Sequence, residues 1–174
     1  MGTGLGVIRR LHRALDALVL AITVPLMVVM LGCVVWQVLG RYFFGASTSY
    51  TDEIARFTFI WVSLLGAAYV LGRRGHIAIT ALTQLLSFGP RRVLEWIIAL
   101  LVVGFSVAVM VYGGYALTER AARLVQVSPA LQVSMGLVYS VIPISGALTA
   151  LYAALVLAQW ASGGEVAEDH VSLD

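Results

Sequence analysis

Residues 47–71 read STSYTDEIARFTFIWVSLLGAAYVL, so two acids and an arginine stand at the start of an otherwise uncharged apolar run. The run from Ile54 to Leu71 approaches the roughly 20 residues that an α-helix needs to cross a bilayer. Charged side chains are costly in hydrocarbon and less so near the membrane surface. The stretch therefore predicts a transmembrane helix whose first turn lies at the interface.

Three further apolar segments have the length of a membrane span. The chain of 174 residues is 60% hydrophobic and only 11% charged, whereas an average soluble domain carries about 25% charged residues. We therefore predict an all-α membrane protein with four transmembrane helices. In chain order these are TM1 (Leu15 to Leu39), TM2 (Ile54 to Leu71), TM3 (Val93 to Leu117) and TM4 (Leu131 to Gln159).

The distribution of positive charge predicts the topology. All eleven cationic residues are Arg, and an N-terminus in the cytoplasm puts seven of them inside and four outside. Cytoplasmic segments of membrane proteins carry the excess of Lys and Arg, so both termini are predicted to be cytoplasmic. We expect residues 1–160 to form one four-helix transmembrane domain, and residues 161–174 to form a short, acidic, disordered cytoplasmic tail.

The connection between TM2 and TM3 is longer than the other two. Its apolar residues can share one helical side, which predicts a short interfacial helix between the second and third spans. A partly buried loop is the alternative. Pro25 and Pro143 fall inside TM1 and TM4, where a kink is expected. The apolar residues of the connection are Ile77, Leu82, Leu85 and Leu86.

Residues that carry catalysis are missing from the sequence. His12, His76 and His170 lie outside the predicted membrane core, so no pair of His can hold a haem between helices. The chain contains no HExxH, P-loop or GxGxxG motif. We expect no enzyme activity, no cofactor, no metal site and no nucleic-acid partner.

The centres of all four predicted helices lack Asp, Glu, Lys, Arg and His. Transporters and channels usually place such groups deep in their helices, where they are functional. Asp16 and Glu95 stand at predicted helix entrances, where either could serve a small proton-coupled transporter if a larger assembly buried it. The uncharged centres favour a structural role over an ion pathway.

The charges before TM2 predict a polar cluster. Ser49 and Asp52 match a capping pattern that satisfies the free N–H groups of a helix start. Asp52 and Glu53 precede Arg56 by four and three residues, so both can reach its guanidinium. In a TM1–TM2 hairpin Arg41 lies at nearly the same depth. Arg41, Asp52, Glu53 and Arg56 then tie TM1 to TM2 or face a partner, whereas the alternative is a solvated helix start.

Two smaller features have open interpretations. Gly66 and Gly104 lie on faces of small residues, for which packing inside the bundle is favoured over contact with another subunit. The sequence GRRGH at residues 72–76 places Arg73, Arg74 and His76 where TM2 leaves the membrane. This charge cluster sets topology, or it contacts anionic lipid or a partner on the cytoplasmic side.

The run from Gly40 to Ile79 resembles the DctQ-like small membrane subunit of tripartite ATP-independent periplasmic (TRAP) transporters. About a quarter of the chain carries this resemblance. Tyr50 and Thr80 depart from it, because the family often has Trp and an acid at these positions. The matching motifs are R-Y-x-F (Arg41, Tyr42, Phe44), D-E-x-A-R (Asp52, Glu53, Ala55, Arg56), W-x-x-x-x-G-A (Trp61, Gly66, Ala67) and R-x-G-H-I (Arg73, Gly75, His76, Ile77).

The resemblance implies a non-catalytic subunit in the bacterial inner membrane. Its implied partners are membrane lipids, a large membrane subunit that carries the sodium and substrate sites, and a periplasmic binding protein that delivers an organic acid. The small subunit would scaffold the large one and help to dock the binding protein. Two alternatives remain: a stand-alone homo-oligomeric transporter or channel using Glu53 or Asp16, and a membrane enzyme subunit that binds quinone or lipid.

Overall fold

A computed structural model describes residues 2–44, 49–73 and 88–161. These residues are helical apart from the connection between TM3 and TM4, and they form no strand. Four helices are long and apolar enough to cross a membrane, which confirms the four predicted spans. The predicted interfacial helix and the acidic tail fall mostly or wholly outside the described residues.

TM1 and TM2 are both longer than their apolar runs. TM1 is an α-helix over Gly2–Leu39 that ends in a π-helical turn, Gly40–Phe44. It begins well before the predicted Leu15 because an α-helix satisfies its own backbone and need not start at the membrane surface. TM2 spans Ser49–Arg73 and thus starts at the Ser of the capping pattern.

TM3 and TM4 each depart from regular α-helix at one point. TM3 runs through Phe88–Phe105, a π-helical stretch Ser106–Gly113 and Gly114–Arg123. TM4 consists of Met135–Tyr139 and Val141–Ala161. The short helix ends at Tyr139 because Pro143 has no N–H to offer the carbonyl four residues earlier, and its ring crowds that carbonyl. TM1 is not interrupted at Pro25.

TM4 is the centre of the bundle. It packs against TM1, TM2 and TM3, whereas TM1 packs mainly on TM2. Of the most apolar stretch of each span, 44% is buried in TM4 and only 6% in TM1. A core of Val19, Leu65 and Val141 joins TM1, TM2 and TM4.

Glycines let TM3 and TM4 approach closely. A Cβ on Gly146 would lie 2.5 Å from the Cβ of Met110 and 3.2 Å from the carbonyl oxygen of Ser106. No described atom lies within 4 Å of the Cβ positions of Gly66 and Gly104. The expectation that these two glycines pack inside the bundle is therefore wrong, because both lie at open positions on their helices.

The connection from TM3 to TM4 has an ordered backbone. TM3 ends in a Schellman motif, in which the N–H of Gln126 donates to the carbonyl of Ala121 and that of Val125 to Ala122, at 3.2 and 3.1 Å. This motif requires a left-handed residue, and Val125 takes that place with φ 49°. An isolated antiparallel bridge between Val127 and Ser134 then closes the loop.

We predict opposite effects of adding one methyl group at two glycines. Gly146→Ala should destabilise the bundle by about 1–3 kcal/mol, because the Cβ of Met110 and the TM3 backbone must move. Gly104→Ala should be neutral or stabilise by up to about 1 kcal/mol, because Ala favours helix and the site is open. Thermal unfolding in mild detergent measures both, and equal midpoints would contradict the close TM3–TM4 contact.

Candidate functional site

Buried carboxylates stand at both ends of the helix bundle. At the first end, the start of TM2 meets the connection between TM3 and TM4. One carboxylate oxygen of Glu53, Oε1, accepts the N–H of Ala130, and the other, Oε2, accepts the N–H of Leu131, both at 2.9 Å. Only 8% of Glu53 is exposed. We call this arrangement the Glu53 junction.

Backbone geometry explains why the connection can bind a carboxylate. Pro129 precedes the two donors and has no N–H, so Ala130 and Leu131 supply the next free amides of the turn. Hydrogen bonds from N–H groups to an ionised acceptor are about twice as strong as neutral ones. The Glu53 junction therefore ties TM2 to the TM3–TM4 hairpin through two backbone donors.

The other predicted members of the cluster are arranged differently. Arg56 donates to Asp52 at 2.8 Å, and about half or more of each side chain is exposed. Arg41 is exposed in the π-helical end of TM1, and within the described part of the chain it makes no ion pair. The structure thus pairs Asp52 with Arg56 and directs Glu53 towards TM3 and TM4. Among the described residues, no ion pair links TM1 to TM2 at this end.

At the opposite end, TM1 meets TM2 and TM4 through a second buried carboxylate. The Tyr152 hydroxyl donates to Oδ1 of Asp16 at 2.9 Å. Nδ1 of His12 lies 3.6 Å from Oδ2 of Asp16, and its Nε2 lies 3.1 Å from the carbonyl oxygen of Gly72. The rings of His12 and Tyr152 meet edge to face at 5.2 Å. We call this the Asp16 junction.

Gly72 is essential to the shape of the Asp16 junction. A Cβ at this position would overlap the ring of Tyr152. The absence of a side chain therefore lets TM2 lie directly against TM4, with the carbonyl oxygen of Gly72 facing His12. Glycine is the residue that permits such a close approach between a helix backbone and an aromatic ring.

Sequence reasoning did not find the Asp16 junction. It placed Asp16 at a helix entrance, but TM1 begins at Gly2 and Asp16 lies well inside the helix, buried by its own chain. The four-residue spacing of His12 and Asp16 was a usable signal. The partner Tyr152 was not predictable, because it comes from the last helix and is one of seven tyrosines.

The charge cluster after TM2 is only partly described. Arg73 is the last residue of TM2, while Arg74 and His76 lie outside the described residues. The function of this cluster stays a prediction.

The described residues contain no group of three His, Cys, Asp or Glu side chains that could hold a metal ion. Their buried charged groups, Glu53 and Asp16, each accept hydrogen bonds from elsewhere in the chain and link helices. The fold and these junctions define a multi-pass helical membrane protein.

Comparison with known proteins identifies the family. Residues 30–163 match the DctQ component of tripartite ATP-independent periplasmic transporters. The sialic acid TRAP transporter small permease protein SiaQ of Vibrio cholerae is 30% identical over 117 residues, which are 66% of each chain. The ectoine TRAP transporter small permease protein TeaB of Halomonas elongata is 29% identical over 150 residues, covering 84% of this chain and 74% of that protein.

The chain belongs to the DctQ family of TRAP transporter small permease subunits. This is a family of transporter components and not of enzymes, which confirms the resemblance and the expected absence of catalysis. The alignment spans just under two thirds of the Vibrio protein.

We predict that Glu53→Gln destabilises the protein more than Asp52→Asn does. A neutral amide has one acceptor oxygen, so its NH₂ group would oppose one of the two backbone donors. The Asp52–Arg56 pair is solvent-exposed and should contribute less than about 1 kcal/mol. Thermal unfolding of the two neighbouring variants provides the comparison, and a larger loss for Asp52→Asn would refute the Glu53 junction.

We also predict that Tyr152→Phe destabilises the protein by about 1–3 kcal/mol, because it removes a hydrogen bond from a buried carboxylate. The ring and its contact with His12 remain. Tyr112→Phe is the matched control, since Tyr112 is 77% exposed. An unchanged unfolding midpoint for Tyr152→Phe would show that the hydroxyl does not stabilise the Asp16 junction.

Proposed function

We propose that this chain is the non-catalytic small membrane subunit of a TRAP-type secondary transporter in the bacterial inner membrane. It scaffolds the large, ion-coupled membrane subunit and helps to dock the periplasmic binding protein, for sodium-driven import of an organic acid. Family membership over residues 30–163 is the observation that carries the proposal. The relative named for sialic acid supports an organic acid as cargo.

The junctions support a scaffold that does not move internally. Glu53 joins TM2 to the TM3–TM4 hairpin, and Asp16 joins TM1 to TM4 at the opposite end. Breaking a buried charged hydrogen bond is strongly unfavourable, so helices linked at both ends resist sliding or separating. A fixed support for a moving neighbour requires this resistance.

The same contacts weaken the alternative of a stand-alone transporter. In that alternative, the carboxylate of Glu53 or Asp16 binds the transported ion. Both carboxylates accept hydrogen bonds from their own chain and are buried. An ion would have to replace those bonds, and the uncharged helix centres offer it no further ionisable ligand.

TM1 offers a surface for the large subunit. Its outer side is continuously apolar, and only 6% of its most hydrophobic stretch is buried within this chain. Trp36 is 56% exposed there, so an aromatic anchor is available for packing. We assign the contact with the large subunit to this side of TM1.

In the proposed topology both termini of the four-helix domain are cytoplasmic. The start of TM2 then faces the periplasm, and Arg41, Asp52 and Arg56 present exposed charges there. Exposed charges guide and select protein partners more than they add affinity. We therefore assign these three residues to the border of the binding-protein docking surface.

The first test is an affinity pull-down of the chain, tagged at its C-terminus and extracted from its native membrane in mild detergent. We expect recovery of a larger polytopic membrane protein in a one-to-one ratio. Recovery of the chain alone, or as a homo-oligomer, would contradict the subunit role and favour the stand-alone transporter.

The docking assignment has its own test. We expect the double variant Asp52→Asn/Arg56→Gln to weaken association with the binding protein without reducing recovery of the large subunit. The control is Glu119→Gln/Arg123→Gln, which removes another exposed pair at the same end of the bundle. Equal effects of the two double variants would show that Asp52 and Arg56 have no special part in docking.

A further inference from the structure

Residues 128–132 form the turn of the TM3–TM4 connection that binds Glu53, and we call them the 128–132 turn. The backbone of this turn closes on itself. The N–H of Gln132 donates to the carbonyl of Ser128 at 3.1 Å, and the N–H of Ser128 donates to the carbonyl of Val133 at 2.9 Å. Gln132 has a left-handed backbone conformation with φ 56°. These hydrogen bonds lie within the connection and do not involve TM2.

The 128–132 turn is also held by its flanks. The buried hydroxyl oxygen of Ser128 accepts the N–H of Val133 at 3.3 Å. The antiparallel bridge between Val127 and Ser134 joins the two arms on which the turn stands. The turn therefore has support from the TM3–TM4 connection that is separate from its contact with Glu53.

Two consecutive amides of the turn point at the carboxylate. The N–H groups of Ala130 and Leu131 each donate to one oxygen of Glu53 at 2.9 Å. Successive backbone N–H groups in a turn form a concave site for anions. Burying a carboxylate is costly unless hydrogen bonds replace its water, and only 8% of Glu53 is exposed. The two amides supply that replacement, so the turn acts as a receptor for the carboxylate.

We propose that the 128–132 turn is a preformed carboxylate-binding site and that Glu53 is its tethered ligand. The site exists in the TM3–TM4 connection whether or not TM2 carries an acid at position 53. A small free carboxylate therefore binds to the same two amides once the Glu53 side chain is removed. This inference does not depend on the transport function, because it concerns the isolated chain.

In the unaltered protein Glu53 keeps free carboxylates out of the site. The fold holds Glu53 next to the turn, so its effective concentration there exceeds that of a dissolved acid at millimolar concentration. The 128–132 turn thus fixes TM2 to the TM3–TM4 hairpin and does not take up a dissolved organic acid. Removal of the tethered ligand is what exposes the site.

Chemical rescue of Glu53→Ala tests the proposal. Thermal unfolding of the full chain in mild detergent is measured in sodium formate and in sodium chloride at equal ionic strength. Formate is the smallest carboxylate, and its two oxygens can accept both amides. At ten times its dissociation constant it should raise the ratio of folded to unfolded protein about tenfold. For a chain of this size the midpoint then rises by a few degrees.

The unaltered protein and Asp52→Ala are the controls. Asp52→Ala removes the neighbouring acid, whose pair with Arg56 is exposed. Formate should stabilise neither control relative to chloride. Equal gains in all three proteins would show that formate acts as a general stabilising salt, and the site would be wrong. Equal midpoints of Glu53→Ala in the two salts would also overturn it.

Amide NMR spectra separate binding from stability. Formate should shift the N–H resonances of Ala130 and Leu131 in Glu53→Ala and leave them unchanged in the unaltered protein. Unchanged resonances of these two amides in the folded variant would overturn the site. A Glu53→Ala protein that folds in formate but not in chloride would support it. Failure to fold in either salt would show that the turn depends on Glu53 and is not preformed.

Discussion

The two hydrogen bonds that Glu53 accepts from the backbone of Ala130 and Leu131 hold this structure together at one end. Hydrocarbon does not drive helices together, because lipid tails are as apolar as leucine side chains. Close packing and polar contacts must supply the specificity. A carboxylate bound by two amides fixes both the position and the rotation of TM2 relative to the TM3–TM4 hairpin.

The Asp16 junction fixes the helices relative to one another at the other end of the bundle. This contact depends on Gly72, which has no side chain. Tyr152 occupies the space that a Cβ of residue 72 would take, so its hydroxyl can reach Asp16 on TM1. TM4 thereby links the other helices and is the most buried span. TM1 is the least buried, and its outer side is left for lipid or protein.

In this protein the buried charged residues link parts of the fold, whereas the paired charged residues on the surface do not. Glu53 and Asp16 are buried and accept hydrogen bonds from outside their own helices. Asp52 with Arg56 and Glu119 with Arg123 instead form exposed pairs, each within a single helix. A pair four residues apart on a helix can form without any tertiary structure. The exposed pairs are therefore the ones that substitution can alter with little effect on the fold.

The sequence by itself determined the four spans, the all-α class and the Asp52–Arg56 pair, because hydrophobic length and helical spacing are local properties. Its family motifs also sufficed to identify the DctQ resemblance. Only the tertiary structure decided that Glu53 binds the backbone of Ala130 and Leu131, that Tyr152 donates a hydrogen bond to Asp16, and that TM3 and TM4 approach closely at Gly146 rather than at Gly104. Each of these depends on which face of one helix meets another. In an apolar solvent the buried and lipid-facing sides have the same composition, so the sequence carries no signal that separates them.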